Sequence, residues 1–436
     1  MNLDREGRQF RLLMVHCVLW SLAMSLAGGF VGAYLLRLGF SVATAIALYA
    51  LMLVVRFALR AVMLPMVLRL GMQRTILLGA VVVALQFIPL IWADRPLWLG
   101  VWVLVVAVGE CLYWPIFHAA NAVCGGGGRR GRQIAWRQLA STLISVVGPL
   151  AGGIILTRLG PVAEFGLATV LCIVSATPLL WMGDIALGPV PTMRQSMTGA
   201  DRVGWFALAA DGWMCAGTGV AWSLILFTTL GSSFCALGWA SSAAALAGAL
   251  AGVACGIAID RGHRQALSHG VTVALLISVA LRVVAGWEPW LAFAANAVGA
   301  AVGGLYAPVV MSVIYDRAKR SGTAYQFHLS AEAGWDAGAI LGCLASAAVA
   351  YSGAPITLAV APAALGVLVI HRCVGAESRF AQRIASGVVI HAEARFRARG
   401  RQAQACPPSR YAARISGRAS SSAPVPAMVI APFTST

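Results

Sequence analysis

Charged side chains are scarce in this chain. Only 11% of its 436 residues are Asp, Glu, Lys or Arg, against about 25% in soluble domains, which excludes an ordinary water-soluble globule. Cysteine chemistry is absent too. The ten cysteines form no C-x-x-C pair and no Cys/His cluster at metal-ligand spacing, so no metal site or disulfide framework is expected. Cys17, Cys111, Cys172, Cys215, Cys235, Cys255 and Cys343 lie in apolar runs and read as small packing residues. Gly125–Gly128 is followed by Arg129 and Arg130 rather than the Lys-[Ser/Thr] of a phosphate loop, so this stretch is a connector. With no nucleophile–base constellation either, catalytic residues and cofactors are both expected to be none. Nor does an A-x-A-like cleavage site follow the charged segment Met1–Arg11, which reads as a tail entering the first apolar run.

What the chain has in abundance is apolar sequence, 60% of all residues. A bilayer core about 30 Å thick takes roughly 20 helical residues to cross, and without water only helices or closed barrels satisfy their backbone there. The apolar runs here are of helix length, not the short alternating segments of a barrel. About twelve spans are expected: 12–36, 43–67, 75–93, 97–122, 134–158, 162–183, 203–229, 234–259, 267–286, 289–315, 324–350 and 354–373. The fold class is therefore an all-α polytopic membrane protein.

The formal net charge of +17 raises nucleic acid as a partner, but its placement argues against it. With the N-terminus cytoplasmic, sixteen Arg or Lys residues of the N-terminal tail and the connections fall on the cytoplasmic side, from Arg5 to Arg320. Three, Arg37, Arg95 and Arg158, fall on the other. That is a positive-inside asymmetry. Nine more arginines lie in residues 374–436, an Arg/Ala-rich and then Ser/Pro-rich tail that is too poor in apolar residues to bury a core and is expected to be disordered.

A polar stretch at 184–202, with Pro189 and Pro191, divides the spans into halves of six, 12–183 and 203–373. Weak internal symmetry fits this division. Pro65, Arg69 and Gly71 precede Gly256, Asp260 and Gly262 by 191 residues, and Gly148 and Gly152 precede Gly338 and Gly342 by 190. Such internal repeats are how many secondary transporters are built.

The chain resembles the major facilitator superfamily. Gly256, Asp260, Arg261, Gly262 and Arg264 follow that family's loop signature G-x-x-x-D-[RK]-x-G-R-[RK], with the second glycine one place early. The first copy is degenerate, with Pro65 at the glycine and Arg69 at the aspartate position. The resemblance implies a gating role for Gly256, Asp260, Arg261 and Arg264, and leaves Arg69 unable to latch in the usual way. Gly148, Pro149, Gly152 and Gly153 are similar to the family's G-P-x-x-G-G element, which implies a bending interface helix. Small residues there let helices approach closely.

Ionisable groups inside a bilayer cost roughly 2.5–3.5 kcal/mol each at a helix centre on insertion scales, so they face a cavity or a partner. Arg56 and Arg60 share a face of span 2 at mid-depth, as does Glu110 in span 4. A Glu110–arginine pair is expected, either as a fixed bond within the first half or as a bond exchanged for a proton or solute. Glu332 and Asp336 share a face of span 11, and their mutual repulsion makes them candidates for proton coupling. Bonding to span 8 or to loop arginines is the alternative. Asp211 in span 7 either points inward, where it joins Glu110 as a further candidate for proton coupling, or reaches the surface. His16, Trp20, Tyr113, Trp114, Trp213 and Trp335 are candidates to line a solute cavity or to serve as packing. His118 and His328 lie near span ends as interfacial residues.

Together these features are expected to give a secondary transporter of a small organic solute, working by alternating access and coupled to protons. The alternative is a transporter-derived sensor or scaffold without flux. The expected partners are a small-molecule substrate, protons and the lipid bilayer, with no nucleic acid, in a monomer of the inner membrane with both termini cytoplasmic.

Overall fold

The computed structural model describes residues 2–124, 130–183, 202–260, 264–321 and 324–375. Among these residues the secondary structure is helical, with no strand. Helix α1 is Asn2–Ala27, carried through a 3-10 turn at Gly28–Phe30 into Val31–Arg37. Next come α2 (Val42–Leu70) and α3 (Met72–Ala84, prolonged by Phe87–Leu90). The first half closes with α4 (Pro96–Cys124), α5 (Arg130–Arg158) and α6 (Gly160–Leu180). Helix α7 starts as Arg202–Cys215, passes through a π-helical turn at Ala216–Ala221 and ends as Trp222–Thr229. Then follow α8 (Phe234–Asp260), α9 (Arg264–Val284), α10 (Pro289–Arg320) and α11 (Ala324–Tyr351). Helix α12 occupies Ile356–Gly375.

Ten described segments are long and apolar enough to cross a membrane. Helices α7 and α10 complete the alternation at positions seven and ten, so the chain is a polytopic all-α membrane protein of two six-helix bundles. The charged segment at the start differs from expectation: α1 is helical from Asn2 rather than from residue 12. Of the polar stretch 184–202 and the tail 374–436 expected to be disordered, residues 184–201 and 376–436 lie outside the described residues.

Local chemistry explains the sharper boundaries. Ser41 caps α2, its hydroxyl accepting the Thr44 N–H at 3.1 Å. Gly71 alone joins α2 to α3 at φ 78°, a conformation that L side chains disfavour. Around the perimeter, Leu104, Val170, Leu250, Val273 and Leu365 are exposed, a surface that hydrocarbon accepts and water does not. Trp181, Trp287, Trp290 and Tyr351 are exposed near helix ends, where aromatic rings sit at the headgroup level.

Within the first bundle α1 packs on α5 and α6, α3 on α4 and α6, and α2 on α4. Within the second, α7 packs on α11 and α8 on α10. The bundles meet along α2–α11, α4–α11 and α5–α8. The α7–α11 contact is especially close. A Cβ at Gly334 would lie 2.8 Å from the Trp205 carbonyl oxygen, and one at Gly342 2.8 Å from that of Trp213.

Candidate functional site

Helix α2 carries Arg56 and Arg60 one turn apart, so both guanidiniums leave the same face. That face meets α4 on one side and α11 on the other. Arg56 donates through Nη1 to Glu110 Oε2 and through Nη2 to Asp336 Oδ1. Arg60 donates through Nε to Asp336 Oδ2 at 2.5 Å and through Nη1 to Glu332 Oε2 at 3.2 Å. Asp336, with 0% of its side chain exposed, is therefore held by both arginines. His118 Nε2 lies 3.4 Å from Glu332 Oε1, and its ring is stacked 6.3 Å from that of His328. The cluster joins α2 and α4 of one bundle to α11 of the other.

Two sequence expectations change here. Among the described residues, no bond joins Glu332 or Asp336 to α8 or to a loop arginine. Their partners are Arg60 and Arg56, the same pair expected to serve Glu110. Nor does repulsion between the two carboxylates dominate, because Arg60 bridges them and its positive charge offsets both. Isolated charges this deep are costly, whereas alternating charges with directed hydrogen bonds offset much of that cost.

Asp211 on α7 sits beyond the cluster and is linked to it through Trp335. Tyr306 donates its hydroxyl to Asp211 Oδ1 at 2.6 Å, and Trp335 Nε1 donates to Oδ2 at 3.0 Å. The Arg56 guanidinium lies 5.3 Å from the Trp335 ring centroid, within cation–π range.

The other aromatic candidates separate into packing groups. His16, Trp20 and Tyr113 are buried together in the first bundle. His16 Nδ1 is 2.7 Å from the Ser175 carbonyl oxygen and Nε2 is 2.7 Å from the Tyr113 hydroxyl, while Trp20 stacks on Tyr113 at 4.4 Å. Trp114 stands edge-on to Tyr113 and stacks beside His118. Trp213 is drawn to α12, donating to the Pro362 carbonyl oxygen at 2.7 Å.

The glycine element of α5 forms a second contact between the bundles. Helix α5 runs unbroken through Pro149. A Cβ at Gly148 would meet Ser25 Cβ at 2.6 Å, and one at Gly152 would meet Phe30 Cε2 at 2.9 Å, both on α1. On the other side, a Cβ at Gly153 would meet the Phe234 carbonyl oxygen at 2.5 Å, and one at Gly238 that of Pro149 at 2.5 Å. Cys235 Sγ reaches the Thr157 hydroxyl at 3.3 Å, and Arg37 donates to the Ser232 carbonyl oxygen at 3.3 Å. Of the loop motif, Arg261 lies outside the described residues. Gly256, Asp260 and Arg264 are described only as helical backbone at the ends of α8 and α9.

Two buried charges were not singled out from the sequence. Arg282 on α9 donates to Ser278 Oγ at 2.8 Å and lies 5.5 Å from the Trp222 ring centroid, with its Nε unbonded. Glu164 on α6 is wholly buried with neither carboxylate oxygen bonded. Both stand inside expected spans, so depth was a signal for each.

No protein-family model matches the sequence, and no curated protein matches it. Solved structures do. The nucleoside transporter NupG superposes with a TM-score of 0.62 at 13% identity, over 85% of this chain and 99% of that one. The E. coli fucose:proton symporter FucP gives 0.57 at 14% identity, over 84% and 98%. A bacterial homologue of the iron transporter ferroportin, in an inward-facing state, gives 0.59 at 12% identity, over 87% and 99%. FucP is a major facilitator superfamily transporter. At these identities the likeness establishes the fold, and the fold is that of the major facilitator superfamily.

Proposed function

We propose that this chain is a secondary active transporter that moves a small organic solute by alternating access and is coupled to protons. The carrying observation is the ionic cluster in which Arg56 and Arg60 of one bundle hold Glu332 and Asp336 of the other. An inter-bundle contact built from charges can be opened by exchange. A proton taken from water onto Glu332 or Asp336 removes one of the two negative charges that hold Arg60 and so weakens the tie between α11 and α2. The glycine contact between α5 and α8 can close or open at the other end of the same bundles. Alternation between two such contacts exposes a central site to one face and then to the other.

The positive-inside asymmetry supports an inner-membrane location with both termini cytoplasmic. The same reading divides the chain into a tail at 1–11, bundles at 12–183 and 203–373, a cytoplasmic connection at 184–202 and a basic tail at 374–436. It assigns gating to Gly256, Asp260, Arg261 and Arg264, and proton coupling to Glu332 and Asp336, with Glu110 in reserve.

The test has two steps. Thermal stabilisation of the purified protein across a panel of sugars, nucleosides, organic acids and amines identifies a solute. Uptake of that solute into proteoliposomes is then followed with an internal pH dye. Solute-driven pH change in the native protein, lost in Glu332→Gln or Asp336→Asn with solute exchange retained, supports the reading. Full proton-coupled flux in both amide variants moves the coupling elsewhere. A stabilising solute that never crosses the membrane points to a sensor instead.

A further inference from the structure

The middle of the protein is short of positive charge. Glu110, Glu332, Asp336 and Asp211 share the two guanidiniums of Arg56 and Arg60, and those two are spent on the first three carboxylates. Asp211 has no ion-pair partner among the described residues; its hydrogen-bond donors are a phenol and an indole. Both are neutral, so they satisfy its lone pairs in part and leave its charge uncompensated. Unlike Asp336, it is only half-buried, so it is not sealed on every side.

The surroundings specify what that is. Trp335 and Tyr306 bring aromatic rings to the carboxylate, and the Trp335 ring already lies within range of one cation, the Arg56 guanidinium. A carboxylate flanked by aromatic rings is the chemistry that binds an organic ammonium group, by charge and by cation–π attraction together. A bare metal ion fits poorly, because it needs several oxygen ligands. Here both oxygens of the one carboxylate already accept hydrogen bonds from protein donors. The helices that carry Asp211 and Trp335 approach closely, since a Cβ at Gly212 would overlap the Trp335 backbone.

We infer that Asp211, Trp335 and Tyr306 form the recognition site for the positively charged head group of an organic solute, a protonated amine or quaternary ammonium. This rests on the transporter reading and names the class of solute it would carry.

The test compares choline with its neutral isostere 3,3-dimethylbutan-1-ol, using full-length protein in nanodiscs, by tryptophan fluorescence and thermal melting. Choline is expected to quench the fluorescence and raise the melting temperature, and the neutral isostere to do neither. Asp211→Asn should weaken the choline response by at least about tenfold, as loss of a charge partner in a shielded site does. Tyr306→Phe, which keeps the ring, should weaken it less, and it preserves the test if the Asp211 variant does not fold. Equal responses to choline and the isostere overturn the inference. So does a choline response that survives Asp211→Asn, or a site that responds to sodium or calcium chloride as strongly as to choline. Binding here does not depend on flux. Choline binding without transport of any solute would sink the transporter reading and leave the site standing, and proton-coupled flux of a solute without choline binding would do the reverse.

Discussion

The two contacts that join the bundles are built from opposite materials. Where α2 and α4 meet α11, five charged side chains alternate in sign, with a fully buried aspartate at their centre. Where α5 meets α8, glycines bring backbones together, and the contact exists because side chains are missing at Gly153 and Gly238. The first contact is strong when complete and fails when one charge is removed. The second rests on backbone proximity, and a Cβ added at Gly153 or Gly238 would meet a carbonyl oxygen at 2.5 Å. Under the proposed alternation between the two contacts, that difference would let a chemical signal release one contact without disturbing the other.

The largest effect is expected at the charged contact. Asp336→Ala leaves two shielded guanidiniums short of a partner, and breaking a buried ion pair from one side costs about 3–5 kcal/mol. The melting temperature in detergent should fall sharply, and Asp336→Glu should recover part of the loss. A melt unchanged by Asp336→Ala would remove the basis for treating the cluster as the stronger of the two contacts.

An intermediate effect is expected at the glycine contact. Gly153→Leu forces atoms against the Phe234 backbone, and overpacking of this kind costs about 1–3 kcal/mol. Because that cost falls on the closed arrangement, labelling of the native Cys235 by a maleimide, read by peptide mass spectrometry, should quicken by roughly tenfold. Unaltered labelling would show that the contact does not depend on backbone proximity.

The smallest effect is expected at Arg282, and it sharpens what a partner is worth. This arginine is as buried as Arg56 yet has no ion-pair partner among the described residues, only Ser278 and the face of Trp222. Replacing an uncompensated charge by an apolar residue of similar length relieves its desolvation as it removes its contacts. Arg282→Met should therefore change stability by no more than about 1 kcal/mol, while Arg56→Met, which strands Glu110 and Asp336, should cost several. Equal losses in the two variants would mean that Arg282 has a counter-charge in the folded protein.

Much of the fold was legible because a bilayer imposes a one-dimensional rule. A run of about 20 apolar residues is a crossing wherever it occurs, so the helices follow from local composition. The departures are local too. The charges of Asn2–Arg11 do not prevent a helix, since helicity needs no apolar surface, and the π-helical turn at Ala216–Ala221 has no signature in hydropathy. Depth likewise marked Arg56, Arg60, Glu110, Glu332, Asp336 and Asp211 as residues in need of partners.

What depth could not supply was the partner. Hydropathy ranks a residue along the membrane normal and says nothing of which helix faces which, so Glu110 near Arg56 was within reach of argument, and the 276-residue link from Arg60 to Asp336 was not. The same limit left His16, Trp20 and Tyr113 open between lining a cavity and packing, and in the folded chain they are buried together in one bundle. The sequence by itself determined that the chain crosses a membrane many times and carries charges at mid-depth. Only the tertiary structure decided that those charges bind the two bundles together, because that depends on bringing α2 against α11, a contact between residues far apart in the chain.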